Sequence, residues 1–324
     1  MSTLTPCGGT YDEISQPFAS TRWWLFLTDG GIETSLIFDD GFDLPHFAAF
    51  HLLREHRGRE GLRRYYERYL PIAISDGTGF LLESPTWRAS KDWGEKLGYS
   101  SNEIWEANKD AIGLMMELRE AHETSTTPIV ISGCVGPRGD GYDPGQIMSA
   151  REAETYHAHQ IQALGEAGVD MITAITMTNS SEAIGVTRAA QKAGVPVAIS
   201  FTVETDGRLP TRQTLREAIE QVDAETANGP AYYMINCAHP THFDETLTGS
   251  ETWLQRIRGI RANASKRSHQ ELSDIPDIDS GDPIELGNQY RDLLRRNPYM
   301  NVLGGCCGTD QRHVRSICEA CHRL

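Results

Sequence analysis

Short apolar runs closed by turn residues, each followed by a stretch of helical periodicity, recur along nearly the whole chain. Runs that are apolar at consecutive positions predict strands covered on both faces, and strand-then-helix alternation predicts a parallel sheet. The predicted strands are Leu25 to Thr28, Phe80 to Glu83, Ile129 to Ser132, Met171 to Ile175, Val197 to Phe201, Tyr232 to Asn236, Arg258 to Ala262 and Val302 to Gly305. Eight strands are what a closed α/β barrel requires. Arg258 to Ala262 is the least regular of them, being only partly apolar. Helices are predicted over Gly61 to Leu70, Asn102 to His122, Ala150 to Ala167, Ser181 to Ala193, Thr214 to Ala227 and Ile284 to Arg296. Gly168 and Gly194 stand where two of these must stop, since glycine permits the left-handed backbone of a helix C-terminus.

No long linker or composition shift interrupts the pattern, so the 324 residues are read as one domain, 1–324. Two segments lack periodicity. Residues 1–20 are expected to be irregular, and residues 265–283, with five acidic residues and two prolines, are expected to form a long loop that can act as a lid. The formal charge of −15 repels polyanions, which excludes nucleic acid and anionic membrane surfaces as partners and favours small molecules. No run approaches the roughly 18 apolar residues of a membrane span, and no basic-then-apolar leader opens the chain. Seven cysteines, two of them adjacent, suit a reducing compartment, so a cytoplasmic protein is expected. Length and charge leave a homo-oligomer open.

The chemistry expected of a barrel lies just past the strand ends. There the sequence places Asp29, Gly30, Glu83, Thr86, Trp87, Cys134, Thr176, Glu204, Asn236, Cys237, His239, Asn263, Cys306 and Cys307. Adjacent Cys306 and Cys307 do not easily bridge to each other, and the flanking glycines let both sulfurs converge on one soft cation. Cys237, closing the sixth strand, supplies a third. Three thiolates with an open fourth position describe a catalytic zinc site, because structural zinc is closed by four protein ligands.

Four motifs, Asp29-Gly30-Gly31-Ile32-Glu33-Thr34, Gly133-Cys134-Val135-Gly136-Pro137, Asn236-Cys237-Ala238-His239-Pro240 and Gly304-Gly305-Cys306-Cys307-Gly308-Thr309, resemble in order and spacing those of the zinc-dependent homocysteine S-methyltransferases. The resemblance implies a TIM barrel in which Cys237, Cys306 and Cys307 hold zinc and a methyl group passes from a small onium donor to a thiol acceptor, homocysteine giving methionine. It implies that Asp29 contacts the acceptor amino acid. Trp87 falls where the family carries a tyrosine, and its indole face suits a methylated cation. Ile175, before Thr176, falls where the family carries a glutamate that binds the acceptor's ammonium. Glu204 or Glu83 is then expected to supply the carboxylate, or the acceptor is a different thiol.

Other readings stand beside these. Cys134 suits a packed core thiol, and His239 is either a ligand or a loop histidine satisfied by backbone. Cys318 and Cys321 are spaced to complete a four-sulfur structural or sensing site, although a terminal helix there makes them packing residues.

Overall fold

The computed structural model describes residues 25–273 and 277–322, so the expectation for residues 1–20 lies outside the described residues. Strands β1 (Phe26–Leu27), β2 (Gly79–Glu83), β3 (Ile129–Val135), β4 (Met171–Met177), β5 (Val197–Phe201), β6 (Tyr232–Asn236), β7 (Ile257–Ala262) and β8 (Val302–Gly305) form one closed barrel in chain order. Every neighbouring pair is parallel, and β1 closes on β8 with Phe26 opposite Val302. The longer helices are α1 (His56–Tyr66), α2 (Leu70–Asp76), α3 (Ser101–His122), α4 (Ala150–Glu166), α5 (Ser180–Ala193), α6 (Leu215–Thr226), α7 (Pro283–Arg296) and α8 (Gln311–Cys321).

Local chemistry sets these boundaries. Ser100, Ser149 and Thr214 each close a reciprocal capping box with a glutamate three residues on, which satisfies the free N–H groups of the first turns of α3, α4 and α6. Gly194 ends α5 in the left-handed region at φ 70°. The helix expected over residues 61–70 divides into α1 and α2. Pro71 lacks an N–H and belongs to the first turn of a new helix, where none is needed.

Strand residues alternate between two packing partners. Leu27, Phe80, Leu82, Ile131, Ile172, Ile199, Tyr233, Ile260 and Leu303 face outward into the apolar layer shared with the helices. Phe26, Leu81, Val130, Met171, Ala198, Met234 and Val302 face inward and fill the lower barrel as a separate apolar cluster. Strand β7 looked irregular because its inward positions are Gly259 and Arg261. A Cβ at Gly259 would lie 2.7 Å from Met234 Cγ, so Met234 fills that space instead. Residues 265–283 include a short helix, His269–Ser273, within the expected loop.

Candidate active site

Strand β6 ends at Asn236, and Cys237 then adopts a left-handed backbone at φ 54°, uncommon for a residue with a Cβ. This turn swings its sulfur off the strand line to 3.9 Å from Cys307 Sγ. Just past β8, Cys306 donates its N–H to Ala262 O at 2.8 Å, and its carbonyl accepts from Thr309 N and Thr309 Oγ1 at 3.1 and 2.7 Å. Gly304 and Gly305 are required beneath this turn: a Cβ at either would lie 1.9 Å from the Oγ1 of Thr28 or of Thr309. The sulfurs of Cys237, Cys306 and Cys307 all lie within 4.8 Å of one another. Tetrahedral sulfurs bound at roughly 2.3 Å stand about 3.8 Å apart, so the trio has the spacing and donor set of a soft divalent cation site.

The three thiols differ in their surroundings. Cys307 is held well below the usual thiol range by bonds from Cys237 and Cys306 and then, against burial, from Tyr142. Cys237 is pushed well above it by its bonds to Cys306 and Cys307 and by burial. For Cys306 the bond with Cys237 lowers the value, but the bond to Cys307 and burial outweigh it and the thiol is pushed up to about 12.

The surrounding shell was only partly expected. Tyr142, from the loop after β3, directs its hydroxyl to Cys307 Sγ at 3.4 Å and stacks on His269 with ring centroids 4.0 Å apart. His269 Nε2 donates to the carbonyl of Cys237 at 2.5 Å. Asn236 Oδ1 accepts from Thr176 N at 2.8 Å and Ser200 Oγ at 2.6 Å, while its Nδ2 donates to Thr176 Oγ1 at 2.9 Å. Those bonds clamp Thr176 at φ 62°, where a β-branched side chain is strained.

Arg261 organises the floor. It donates to Asp29 Oδ1 at 2.7 Å, Glu83 Oε2 at 2.6 Å, Gly30 O at 3.1 Å and Gly305 O at 3.0 Å. Tyr65 donates to Asp29 Oδ2 at 2.8 Å. Burial raises the Asp29 carboxyl, against the opposing pull of Arg261 and Tyr65. Burial also pushes Glu83 up to about 7, Arg261 opposing and Asp29 reinforcing the shift. One guanidinium thus serves two carboxylates, and all three groups are buried.

A small cavity of about 40 Å³ adjoins the trio, bordered among others by Asp29, Glu33, Glu83, Trp87, Ile175 and Arg261. The structure therefore brings Asp29, Gly30, Glu83 and Trp87 together with Cys306 and Cys307. It does not bring Glu204 there: that carboxylate lies 3.5 Å from His269 Nδ1, away from the cavity. Nor is the indole of Trp87 free on both faces, because the Arg88 guanidinium stacks 4.5 Å from its ring centroid. Thr86 is buried, donating to Cys134 O at 2.7 Å. His239 caps the short helix Pro240–Phe243 through Thr241, and burial lowers its imidazole to about 4. Cys318 and Cys321 are buried on α8, outside the sulfur trio. Arg261, Tyr65, Tyr142 and Glu33 are the site residues that the sequence reading passed over. Glu33 was in view within the first motif, four residues after Asp29, and a partly polar strand β7 was the signal for Arg261.

This polar and sulfur-rich mouth on a closed parallel barrel suits chemistry at a sulfur centre. The family model for homocysteine S-methyltransferase matches residues 26–321, and the chain belongs to that family. It is 22% identical to homocysteine S-methyltransferase 2 of Zea mays over 97% of this chain and 95% of that one. It is 23% identical to betaine–homocysteine S-methyltransferase 1 of Bos taurus over 53% of this chain and 44% of the other. Among solved structures, the oxidized form of the homocysteine methyltransferase MmuM from Escherichia coli superposes with a TM-score of 0.74 at 16% identity, covering 94% of this chain and 98% of that one. Its metallated form gives 0.72 at the same identity and coverage, and both show the shared barrel. Among the described residues no helix is long and apolar enough to cross a membrane.

Proposed function

We propose that this methyltransferase moves a methyl group from a small onium donor to a thiol acceptor, homocysteine giving methionine, at a zinc ion held by Cys237, Cys306 and Cys307. The supporting observation is the sulfur trio at the barrel mouth, which no fourth cysteine, histidine or carboxylate joins among the described residues, and the cavity beside it. Bound there, zinc supplies a way to keep the acceptor sulfur as a thiolate at neutral pH, where a free thiol of ordinary pKa is mostly protonated. The chain's own residues do the rest. Tyr142 and His269 brace Cys307 and the Cys237 carbonyl, Asn236 holds Thr176 at the rim, and Asp29 with Gly30, fixed by Arg261, bounds the acceptor side. Trp87 contributes to the donor side with the part of its indole that Arg88 leaves open. Zinc-bound thiolates need a reducing surrounding, which supports a cytoplasmic location.

The test is metal content and methyl transfer in Cys237→Ser, Cys306→Ser and Cys307→Ser. Each variant is expected to lose most of its zinc and at least about 100-fold in activity, since even partners of metal ligands matter at the 10–100-fold level. Full zinc stoichiometry in all three would defeat the reading. A second reading, methyl transfer to another thiol, is favoured by Ile175, which presents a hydrocarbon side chain to the cavity.

A further inference from the structure

Three carboxylates border the cavity beside the sulfur trio, and their surroundings differ. Asp29 and Glu83 share Arg261 at 2.7 and 2.6 Å. Glu33 has no cation at ion-pair distance and no side-chain bond to another residue among the described residues. The nearest positive influence on it is Arg88, whose guanidinium is 3.4 Å from Asp140 and stacked at 4.5 and 3.7 Å on Trp87 and Trp93. Burial pushes the Glu33 carboxyl up to about 7, with Cys306 and Asp29 adding to the shift.

The backbone that carries Glu33 is pinned to the cysteine loop. Gly31 N donates to Thr309 O at 3.0 Å, and a Cβ at Gly31 would lie 2.6 Å from Cys306 O. A second carboxylate that borders the cavity carries an unmatched oxygen. Glu83 Oε1 is buried and meets no donor at full hydrogen-bond geometry; the Thr173 hydroxyl, paired with Ser132 at 2.7 Å, lies beside it. A partly desolvated carboxylate and an orphaned carboxylate oxygen, on residues that border one cavity, are both relieved by a cationic hydrogen-bond donor.

We propose that Glu33, in the cavity that Glu83 also borders, receives the ammonium group of a thiol amino acid whose sulfur sits at the cysteine trio. Glu33 is thereby the specificity residue that offsets Ile175. This inference rests on the thiol-acceptor reading. The ammonium of homocysteine is four bonds from its sulfur, a reach on the order of 4–5 Å, which keeps it within the space adjoining the trio. The donor cation belongs elsewhere, because in-line displacement places the leaving group on the far side of the methyl carbon from the acceptor sulfur.

The test compares homocysteine with its des-amino analogue 4-mercaptobutanoate on the zinc-loaded full chain, by calorimetric binding and by KM, in the wild type and in Glu33→Gln. The wild type is expected to prefer homocysteine. Glu33→Gln is expected to weaken homocysteine about 10-fold or more and to leave 4-mercaptobutanoate within about twofold, as loss of one charged hydrogen bond requires. Equal weakening of both thiols, an intact preference in the variant, no preference in the wild type, or no thiol binding would each overturn the assignment. Should the Gln variant fail to hold zinc, Glu33→Asp takes its place, with selective weakening of homocysteine expected and equal weakening overturning it. Thiol binding without methyl transfer from any onium donor would sink the proposed reaction while the binding data still decide Glu33.

Discussion

The barrel interior is filled in two ways that differ by a step of two residues along the same strands. Phe26, Leu81, Val130, Met171, Ala198, Met234 and Val302 make an apolar plug. Two residues further on, and so on the same inward face, stand Thr28, Glu83, Ser132, Thr173, Ser200, Asn236 and Gly304, with Arg261 two residues beyond Gly259. Every one of those polar side chains is buried. The plug is held by shape and removal of apolar surface from water, which tolerate many equivalents. The upper layer is held by matched donors and acceptors, where each partner fixes the next and an unmatched group is costly. Function sits on the layer with fewer alternatives.

Breaking the centre of the polar layer tests this most severely. Arg261→Met leaves Asp29 and Glu83 buried without their shared cation and is expected to cost about 3–5 kcal/mol in denaturant unfolding. The sign with pH follows from the carboxylates. Losing Arg261 raises their folded pKa values further above the unfolded ones, so the variant retains more stability at low pH and loses it as pH rises. The deficit relative to wild type is therefore expected to be larger at about pH 8 than at about pH 5. A deficit independent of pH would mean that the guanidinium acts by packing alone.

In the plug, Leu81→Ala is expected to cost about 2–5 kcal/mol through lost burial and the cavity left behind. The cost should not vary with pH, and kcat/KM per folded molecule should stay within about twofold of the wild type, because Leu81 touches no group of the mouth through a hydrogen bond. A large loss of activity at wild-type folded fraction would show that the layers are mechanically joined and dissolve the contrast.

What could be read from the chain follows the same division. All the strands were legible because an apolar run buried on both faces leaves a local mark, and β7 was the least legible because Gly259 and Arg261 interrupt it. The cysteines were legible as a chemically unusual set. Their geometry was not: nothing local predicts that Cys237 turns left-handed to aim its sulfur at β8. Asp29 could be picked out as a polar strand end, but its partner is Arg261, 232 residues away, and pairings at that range depend on barrel closure. Tyr142 lies among glycines, aspartates and a proline with no periodicity to announce it. Trp87 was read as an open indole face, and only the folded chain shows Arg88 lying across it.

The smallest effect sharpens the contrast best, because it asks whether a polar pair in the upper layer can be replaced by the kind of packing used below. Ser132 Oγ and Thr173 Oγ1, on adjacent strands, are 2.7 Å apart and fully buried. Ser132→Ala strands the Thr173 hydroxyl and is expected to cost about 1–2 kcal/mol. Thr173→Val, nearly isosteric, strands Ser132 in the same way. The double variant removes both orphans and is expected to be less destabilised than the sum of the single variants, by about 1 kcal/mol in a double-mutant cycle. The Thr173 hydroxyl also lies beside Glu83, so the cycle should be run with the Glu83→Gln background as a control. Additivity in both backgrounds would mean that this pair is not a matched unit and that the upper layer is, like the plug, a sum of independent contacts.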